Sequence, residues 1–197
     1  VRRRTVALLK NRGYMRYALI SATASAVFFV FIGGAPYLVI DGWGYPPEVF
    51  GYWFISLGVG YALGNFTAAR ATSIFGMDKI IAVGNLMSLA GIVMIGLLAL
   101  VPVQHPAAVF LPAILFTYGN GLVLPNSFAN ALQTDRNAGG AASGLMGFTQ
   151  MLFGSIGSFI VAKLPATTAL AMVAVMTVFG IVAYLLQPAR LFGRRRG

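Results

Sequence analysis

The stretch from Tyr17 to Ile40, YALISATASAVFFVFIGGAPYLVI, contains no charged side chain over 24 consecutive residues. At a rise of about 1.5 Å per residue, about 20 apolar residues cross a hydrocarbon core of about 30 Å. The stretch is therefore long enough for one tilted transmembrane helix. Five more uncharged runs follow with few residues between them: Val49 to Ala69, Ile80 to His105 (with a neutral histidine), Pro106 to Thr134, Asn137 to Ala162 and Leu164 to Ala189.

The composition indicates that lipid is the solvent of this chain. Hydrophobic residues make up 58% of the sequence and charged residues 9%, which is more apolar surface than 197 residues could hide in a water-soluble core. In lipid, backbone amides must be satisfied within each segment, and the runs far exceed the roughly 9 to 11 alternating residues of a barrel strand. The sequence therefore predicts an all-α, polytopic membrane protein with six transmembrane helices.

The basic residues predict the orientation of these helices. With the N-terminus inside, every Lys and Arg except Lys163 falls on the inner side, so the positive-inside rule predicts that both termini are cytoplasmic. The net charge of +10 then serves orientation and contact with anionic lipid head groups, and we expect no nucleic-acid partner. The predicted organisation is a basic connector at residues 1–16, a bundle at 17–189 and a basic tail at 190–197. Because the chain starts at Val1 on a connector-like segment, we expect it to continue a longer protein, unless that start reflects processing.

The six runs divide into two triplets of the same character. In each triplet the first run is polar and contains a proline (Pro36 and Pro125), the second carries a glycine stripe, and the third is plainly aliphatic. Three spans are an odd number, so the second triplet must run in the opposite direction to the first. The pattern predicts a 3+3 inverted repeat of the kind found in transporters.

Three stretches of sequence resemble a known family. They are Ala35 to Ile40 leading through Gly44 and Pro46 to Phe50–Phe54, then Gly64–Asn65 with Arg70 and Gly76 to Lys79, and finally Leu124 to Leu132 followed by Ala138 to Gln150. Over about Tyr17 to Arg190 the chain resembles the C-terminal six-helix half of a major facilitator superfamily transporter, closest to the Bcr/CflA drug-resistance branch of the drug:proton antiporters. The second stretch is a degraded form of the family's cytoplasmic loop motif, with Gly64, Arg70, Gly76, Asp78 and Lys79 at its positions. Ala68 stands where the family has an acid, which puts an inter-half salt bridge there in question.

The resemblance implies a role for each helix. The first and fourth helices would line the substrate cavity, the second and fifth would meet the other half of the transporter, and the third and sixth would support them from outside. The candidate cavity residues are Ser21, Ser25, Phe28, Phe31, Tyr118, Asn120, Asn126, Asn130 and Gln150. The candidate inter-half glycines are Gly51, Gly58, Gly60, Gly64, Gly140, Gly144, Gly147 and Gly154. The alternatives are ordinary core packing for the phenylalanines, interhelical hydrogen bonds for the asparagines, and packing within one bundle for the glycines.

The spans lack some chemistry that other functions need. None of the six runs contains Asp, Glu, Lys or Arg, and the chain has no cysteine. We therefore expect no enzyme, metal site or cofactor, and a neutral cavity suited to amphipathic organic molecules. A proton-coupled carrier ordinarily needs a buried carboxylate, which the other half would have to supply.

The sequence thus predicts half of a secondary active transporter in the bacterial cytoplasmic (inner) membrane. Its expected activity is proton-coupled, multidrug-type efflux of small amphipathic organic compounds. The predicted partners are the lipid bilayer, a small organic substrate, and an N-terminal six-helix half, covalent or separate. The alternatives are a half-size carrier that pairs with a second copy, and a channel or structural module that transports nothing.

Overall fold

The computed structural model describes residues 2–134, 139–164 and 169–187, with side chains from residue 5 onward. Every regular element in these ranges is helical, which confirms the all-α prediction. The elements are α1 (Arg2–Lys10), α2 (Arg12–Pro36), a π-helical segment (Tyr37–Gly42), α3 (Pro47–Phe75), α4 (Met77–Leu98), α5 (Ala107–Gln133), α6 (Gly139–Ala162) and α7 (Ala169–Leu185). The predicted basic tail at 190–197 lies outside the described residues.

The chain is helical well before its first uncharged run. α1 occupies the predicted connector, and α2 begins at Arg12, five residues ahead of that run. Asn11 caps α2, because its Oδ1 accepts hydrogen bonds from the backbone N–H of Gly13 at 2.9 Å and of Tyr14 at 3.2 Å. Such bonds satisfy amides that have no partner in a first helical turn. The described ranges therefore hold seven α-helices rather than six, since charge marks where a helix enters lipid and not where it begins.

The first membrane helix changes geometry at Pro36. Proline lacks the N–H of an α-helical hydrogen bond, and the chain continues beyond it as the π-helical segment. The two glycines just before it make room for neighbouring helices. A Cβ on Gly34 would lie 3.0 Å from Met172 Sδ of α7 and 3.1 Å from a methyl group of Val161 of α6. This end of α2 is therefore built for close approach.

Each predicted run overlaps one helix, but the helices differ in length and hydropathy. By length and composition, α2 with its π-helical segment, α4, α5 and α6 can each cross a membrane. α3 is long enough at 29 residues but is less apolar. α7 is apolar and covers 17 residues, while positions 165–168 and 188–189 of its predicted run lie outside the described residues.

The two sequence triplets, α2–α4 and α5–α7, make equivalent contacts with each other. α2 packs against α6 and α7, and α5 packs correspondingly against α3 and α4. In addition, α2 contacts α5, and α4 contacts α7. Exchanging α2–α4 with α5–α7 leaves this pattern unchanged, as expected for a 3+3 inverted repeat.

The two proline-bearing helices form the centre of the bundle. The fully buried Phe31 of α2 meets two rings of α5, with centroid distances of 5.7 Å to Phe110 and 5.4 Å to Phe116. Burial decreases away from this centre. Of the most apolar stretch of each helix, 67% is buried in α2 with its π-helical segment and 61% in α5, but only 28% in α6. α6 thus leaves a broad face open.

Candidate functional site

A cavity of about 720 Å³ lies among α2, α3, α5 and α6. This volume falls within the roughly 300–1,000 Å³ of typical small-molecule sites. The lining side chains carry no formal charge. They are Ser25, Phe28, Phe29, Phe54, Ile55, Leu57, Gly58, Val59, Tyr61, Ala62, Thr117, Asn120, Leu124 and Gln150.

Four of the nine predicted cavity residues line this space: Ser25, Phe28, Asn120 and Gln150. A fifth, Ser21, is fully buried behind it and accepts a hydrogen bond from Gln150 Nε2. This bond joins α6 to α2 across the cavity wall. It also uses one of the amide's donors on the protein itself.

Asn120 is one of two almost fully buried polar residues of the cavity, with 2% of its surface exposed. Its Nδ2 donates to the backbone carbonyl of Ala24 at 3.1 Å. Because a carbonyl can only accept, this contact determines which end of the amide faces α2. The other end, Oδ1, meets no donor within the described part of the chain.

Aromatic rings from α2 and α3 form much of the apolar wall. Phe28 and Phe29 stand edge to face with centroids 6.3 Å apart, and Phe54 and Tyr61 add rings from α3. Phe29 was not among the predicted site residues, whereas Phe31 was and lies in the core. Positions 28 and 29 lie three and four residues after Ser25 and so flank its helical face, whereas position 31 lies six residues after Ser25, so the period could have identified Phe29.

The other predicted cavity residues lie at contacts between helices. Tyr118 Oη donates to Thr67 Oγ1 at 2.9 Å. Asn126 accepts from Thr72 Oγ1 and donates to the carbonyl of Leu122, both at 2.8 Å. The bonds to Thr67 and Thr72 join α5 to α3, and the bond to Leu122 lies within α5. Interhelical hydrogen bonding is the role that the sequence left as the alternative for the asparagines. Both residues are outside the cavity because they face away from the α5 side that carries Thr117, Asn120 and Leu124.

Asn130 belongs to a polar cluster at the end of the bundle that carries Arg16 and Lys79, the basic end. Its Nδ2 donates to Asp78 Oδ1 at 3.3 Å, and Tyr17 Oη donates to the same oxygen at 2.7 Å. The carboxylate thereby links α2, α4 and α5. It lies outside the cavity, beside a shallow open depression at the ends of these helices.

The residues of the predicted loop motif have local roles in the structure. Gly76 forms the one-residue joint between α3 and α4 at φ +85°, ψ 152°, a backbone conformation that L side chains rarely adopt. The guanidinium of Arg70 stacks over the ring of Phe66 at 3.5 Å, and Lys79 is exposed. Ala68, at the position of the family's acid, is buried.

The predicted inter-half glycines divide into two groups. Gly60 and Gly64 pack against the α5 backbone around residues 114–121, and Gly154 packs against the ring of Phe29, so these three are in contact within the bundle. The other five would place a Cβ in open space: Gly51, Gly58, Gly140, Gly144 and Gly147. Exposed apolar side chains surround them on α3 and α6, including Tyr52, Val59, Phe148, Met151 and Phe159. This open surface flanks the cavity.

The described ranges contain no group of three or more His, Asp or Glu side chains that could hold a metal ion. The lining of the cavity offers neutral hydrogen-bonding groups and aromatic faces.

Comparison with known proteins supports the family resemblance at a coarse level. No protein-family model matches the chain. The chain is similar to a protein of Bacillus subtilis (strain 168) named "Uncharacterized MFS-type transporter YdgK", where MFS denotes the major facilitator superfamily; the two are 28% identical over 179 residues. The match covers 90% of this chain and 44% of YdgK, so the chain spans less than half the length of this relative. The similarity supports the resemblance of the chain to the major facilitator superfamily, and the long apolar helices agree with a membrane protein.

Proposed function

We propose that this chain is one half of a secondary active transporter that exports small amphipathic organic compounds. The cavity among α2, α3, α5 and α6 would form one wall of the substrate site. The observation that carries the proposal is this cavity of about 720 Å³, whose 14 lining residues carry no formal charge. Its rings can cover the apolar body of a ligand, and its few amides can orient the polar end. The similarity to YdgK supports transport as the general activity.

The other half would pack on the open surface of α3 and α6. Four glycines there that do not line the cavity, Gly51, Gly140, Gly144 and Gly147, have no neighbour within 4 Å of a Cβ position, so a second bundle could approach their backbones closely. The chain also spans only 44% of its relative, which leaves room in that protein for another bundle of this size. We propose an N-terminal six-helix half as the partner, joined to this chain or separate. A second copy of this chain is the alternative.

Proton coupling, in this proposal, comes from the partner half. Among the described acids, Asp41 and Glu48 are exposed, and Asp78 is bonded to Tyr17 and Asn130 away from the cavity. None of these three described acids thus stands where protonation could alternate with access to substrate.

We also propose that the bundle sits in the cytoplasmic (inner) membrane of a bacterium with both termini inside. The described basic side chains gather at one end of the bundle and the exposed acids at the other. The basic ones are Lys10, Arg12, Arg16, Arg70 and Lys79, with Lys163 alone at the opposite end. This asymmetry is what the positive-inside rule requires.

Uptake of a fluorescent amphipathic cation, ethidium, into inverted membrane vesicles from cells that express this chain together with its partner half tests the proposal. We expect saturable uptake that needs a proton gradient and stops when an ionophore collapses it. Gly58→Trp should abolish uptake, because residue 58 lines the cavity and has open space in front of it for the indole ring. The control, Val93→Trp, alters an exposed position of α4 remote from the cavity and should transport normally. Uptake that does not saturate, or that survives Gly58→Trp, would contradict the proposal.

A further inference from the structure

We infer that α1 is a surface helix that binds the head groups of anionic phospholipids at the cytoplasmic side of the membrane. The binding surface is the exposed side of α1, formed by Val6, Leu9 and Lys10, together with Arg12 and Arg16 in the first two turns of α2. The inference uses the proposed orientation in the membrane and is independent of what the cavity carries.

α1 is fixed to the bundle without being a continuation of α2. Asn11 separates the two helices with an extended backbone, at φ −81° and ψ 108°. Beyond this joint α1 contacts α6 as well as α2, and its Leu8 is 1% exposed in a cluster that includes Tyr14 of α2 and Met146 of α6. Because α2 and α6 both begin at the basic end of the bundle, α1 lies at the level where the membrane meets the cytoplasm. Its binding surface is therefore formed before lipid arrives, which lowers the entropic cost of binding.

The exposed side of α1 combines apolar and basic side chains. Val6 and Leu9 are three residues apart, so they share one side of the helix, and they are 44% and 49% exposed. Lys10 follows Val6 by four residues and is exposed on that side as well. Aliphatic side chains beside a long basic one suit the boundary between acyl chains and head groups, because lysine can bury its stem and extend its charge to a phosphate.

The charge of this segment favours an anionic partner. Residues 1–16 contain no Asp or Glu and six basic residues: Arg2, Arg3, Arg4, Lys10, Arg12 and Arg16. A cluster of about four to eight basic residues next to the cytoplasmic end of a membrane helix is typical of segments that bind anionic lipids. A protein on this surface would have to present acids to these cations, whereas the phosphates of the inner leaflet lie at this level already.

An environment-sensitive dye on α1 tests the inference. The chain has no native cysteine, so acrylodan attached to Val6→Cys reports the polarity at the exposed side of α1. The labelled protein is placed in nanodiscs of phosphatidylcholine, alone or mixed with phosphatidylglycerol. We expect the emission to move to shorter wavelength as the phosphatidylglycerol fraction rises, and this shift to shrink in high salt, which screens exposed charges. Acrylodan on Glu48→Cys, an exposed site at the other end of the bundle, is the control and should not respond.

Two double variants locate the effect, and each removes two positive charges from the basic end. Lys10→Gln with Arg12→Gln changes the proposed surface. The phosphatidylglycerol fraction that gives half of the shift should then rise at least about fivefold, the contribution of one basic residue near an anionic surface. Arg70→Gln with Lys79→Gln changes exposed positions of α3 and α4 and should keep the full response. Circular dichroism checks that both variants fold.

Three results would overturn the inference. Equal emission from position 6 in both lipid compositions would do so with the labelled protein alone. A shift that survives Lys10→Gln with Arg12→Gln would place the lipid contact elsewhere. Short-wavelength emission in every lipid and in neutral detergent would mean that protein, such as a second copy of this chain, covers α1. Ethidium uptake is measured separately, so failure of the proposed function and failure of this inference are distinguishable.

Discussion

The contact between α3 and α5 should fail when a single methyl group is added at Gly64. A Cβ there would clash with the Tyr118 carbonyl oxygen and lie 3.0 Å from Gly121 Cα, and both are backbone atoms. Backbone cannot swing away as a flexible side chain can, so Gly64→Ala must push the two helices apart. Inserting a methylene-sized group into a packed contact costs about 1–3 kcal/mol. For a chain of this size, that is about 2–4 °C in melting temperature per kcal/mol.

The assay is thermal unfolding of the purified protein in mild detergent, followed by loss of helical circular dichroism. Gly144→Ala is the control, because its Cβ would enter open space and alanine favours helix over glycine by up to about 1 kcal/mol. We expect Gly64→Ala to melt lower than the unaltered protein and Gly144→Ala to melt at the same temperature or higher. Equal melting temperatures for the two variants would refute the reasoning. Gly121→Ala should reproduce the loss, and the double variant should lose less than the sum, since the two glycines face each other.

Three further predictions concern stability and transport. Gly76→Ala should lower the melting temperature although nothing lies within 4 Å of its Cβ, because φ +85° costs a residue other than glycine about 1–3 kcal/mol; an unchanged temperature would argue against strain at this joint. Tyr17→Phe should cost about 1 kcal/mol by removing the hydrogen bond to Asp78, and in a double-mutant cycle with Asp78→Asn the two losses should not add; full additivity would show that the pair does not interact. Phe31→Ala should lower the free energy of unfolding by about 3–5 kcal/mol because the ring is fully buried. Phe28 is half-buried and lines the cavity, so Phe28→Ala should reduce ethidium uptake far more than it lowers stability. The reverse order would contradict the assignment of the two rings.

Much of the fold was predictable because lipid imposes strong rules. Charge-free runs located the membrane helices, and the odd number of spans in each triplet predicted the symmetric packing. The ends of the helices were less predictable. Asn11 caps α2 within a basic segment, and Pro36 leads into π-helical backbone, because both depend on local hydrogen bonds that hydropathy does not describe.

The candidate site was predictable by helix but not by residue. Asn120 and Asn126 are the same residue type on one helix, yet one faces the cavity and the other bonds to α3. Likewise, Gly64 is pressed against α5 and Gly144 is open, although both belong to glycine stripes. Residue type shows which groups are costly in lipid, but only the placement of the neighbouring helices decides how each is satisfied.

Protection of a single cysteine at position 58 tests the central claim most directly, namely that a substrate occupies the cavity beside α3. The chain has no native cysteine, so Gly58→Cys supplies a unique thiol in the cavity lining, and Glu48→Cys supplies one at an exposed site outside it. Saturating ethidium should slow the reaction of Gly58→Cys with a water-soluble maleimide and leave that of Glu48→Cys unchanged. Equal reaction rates at position 58 with and without ethidium would contradict the claim.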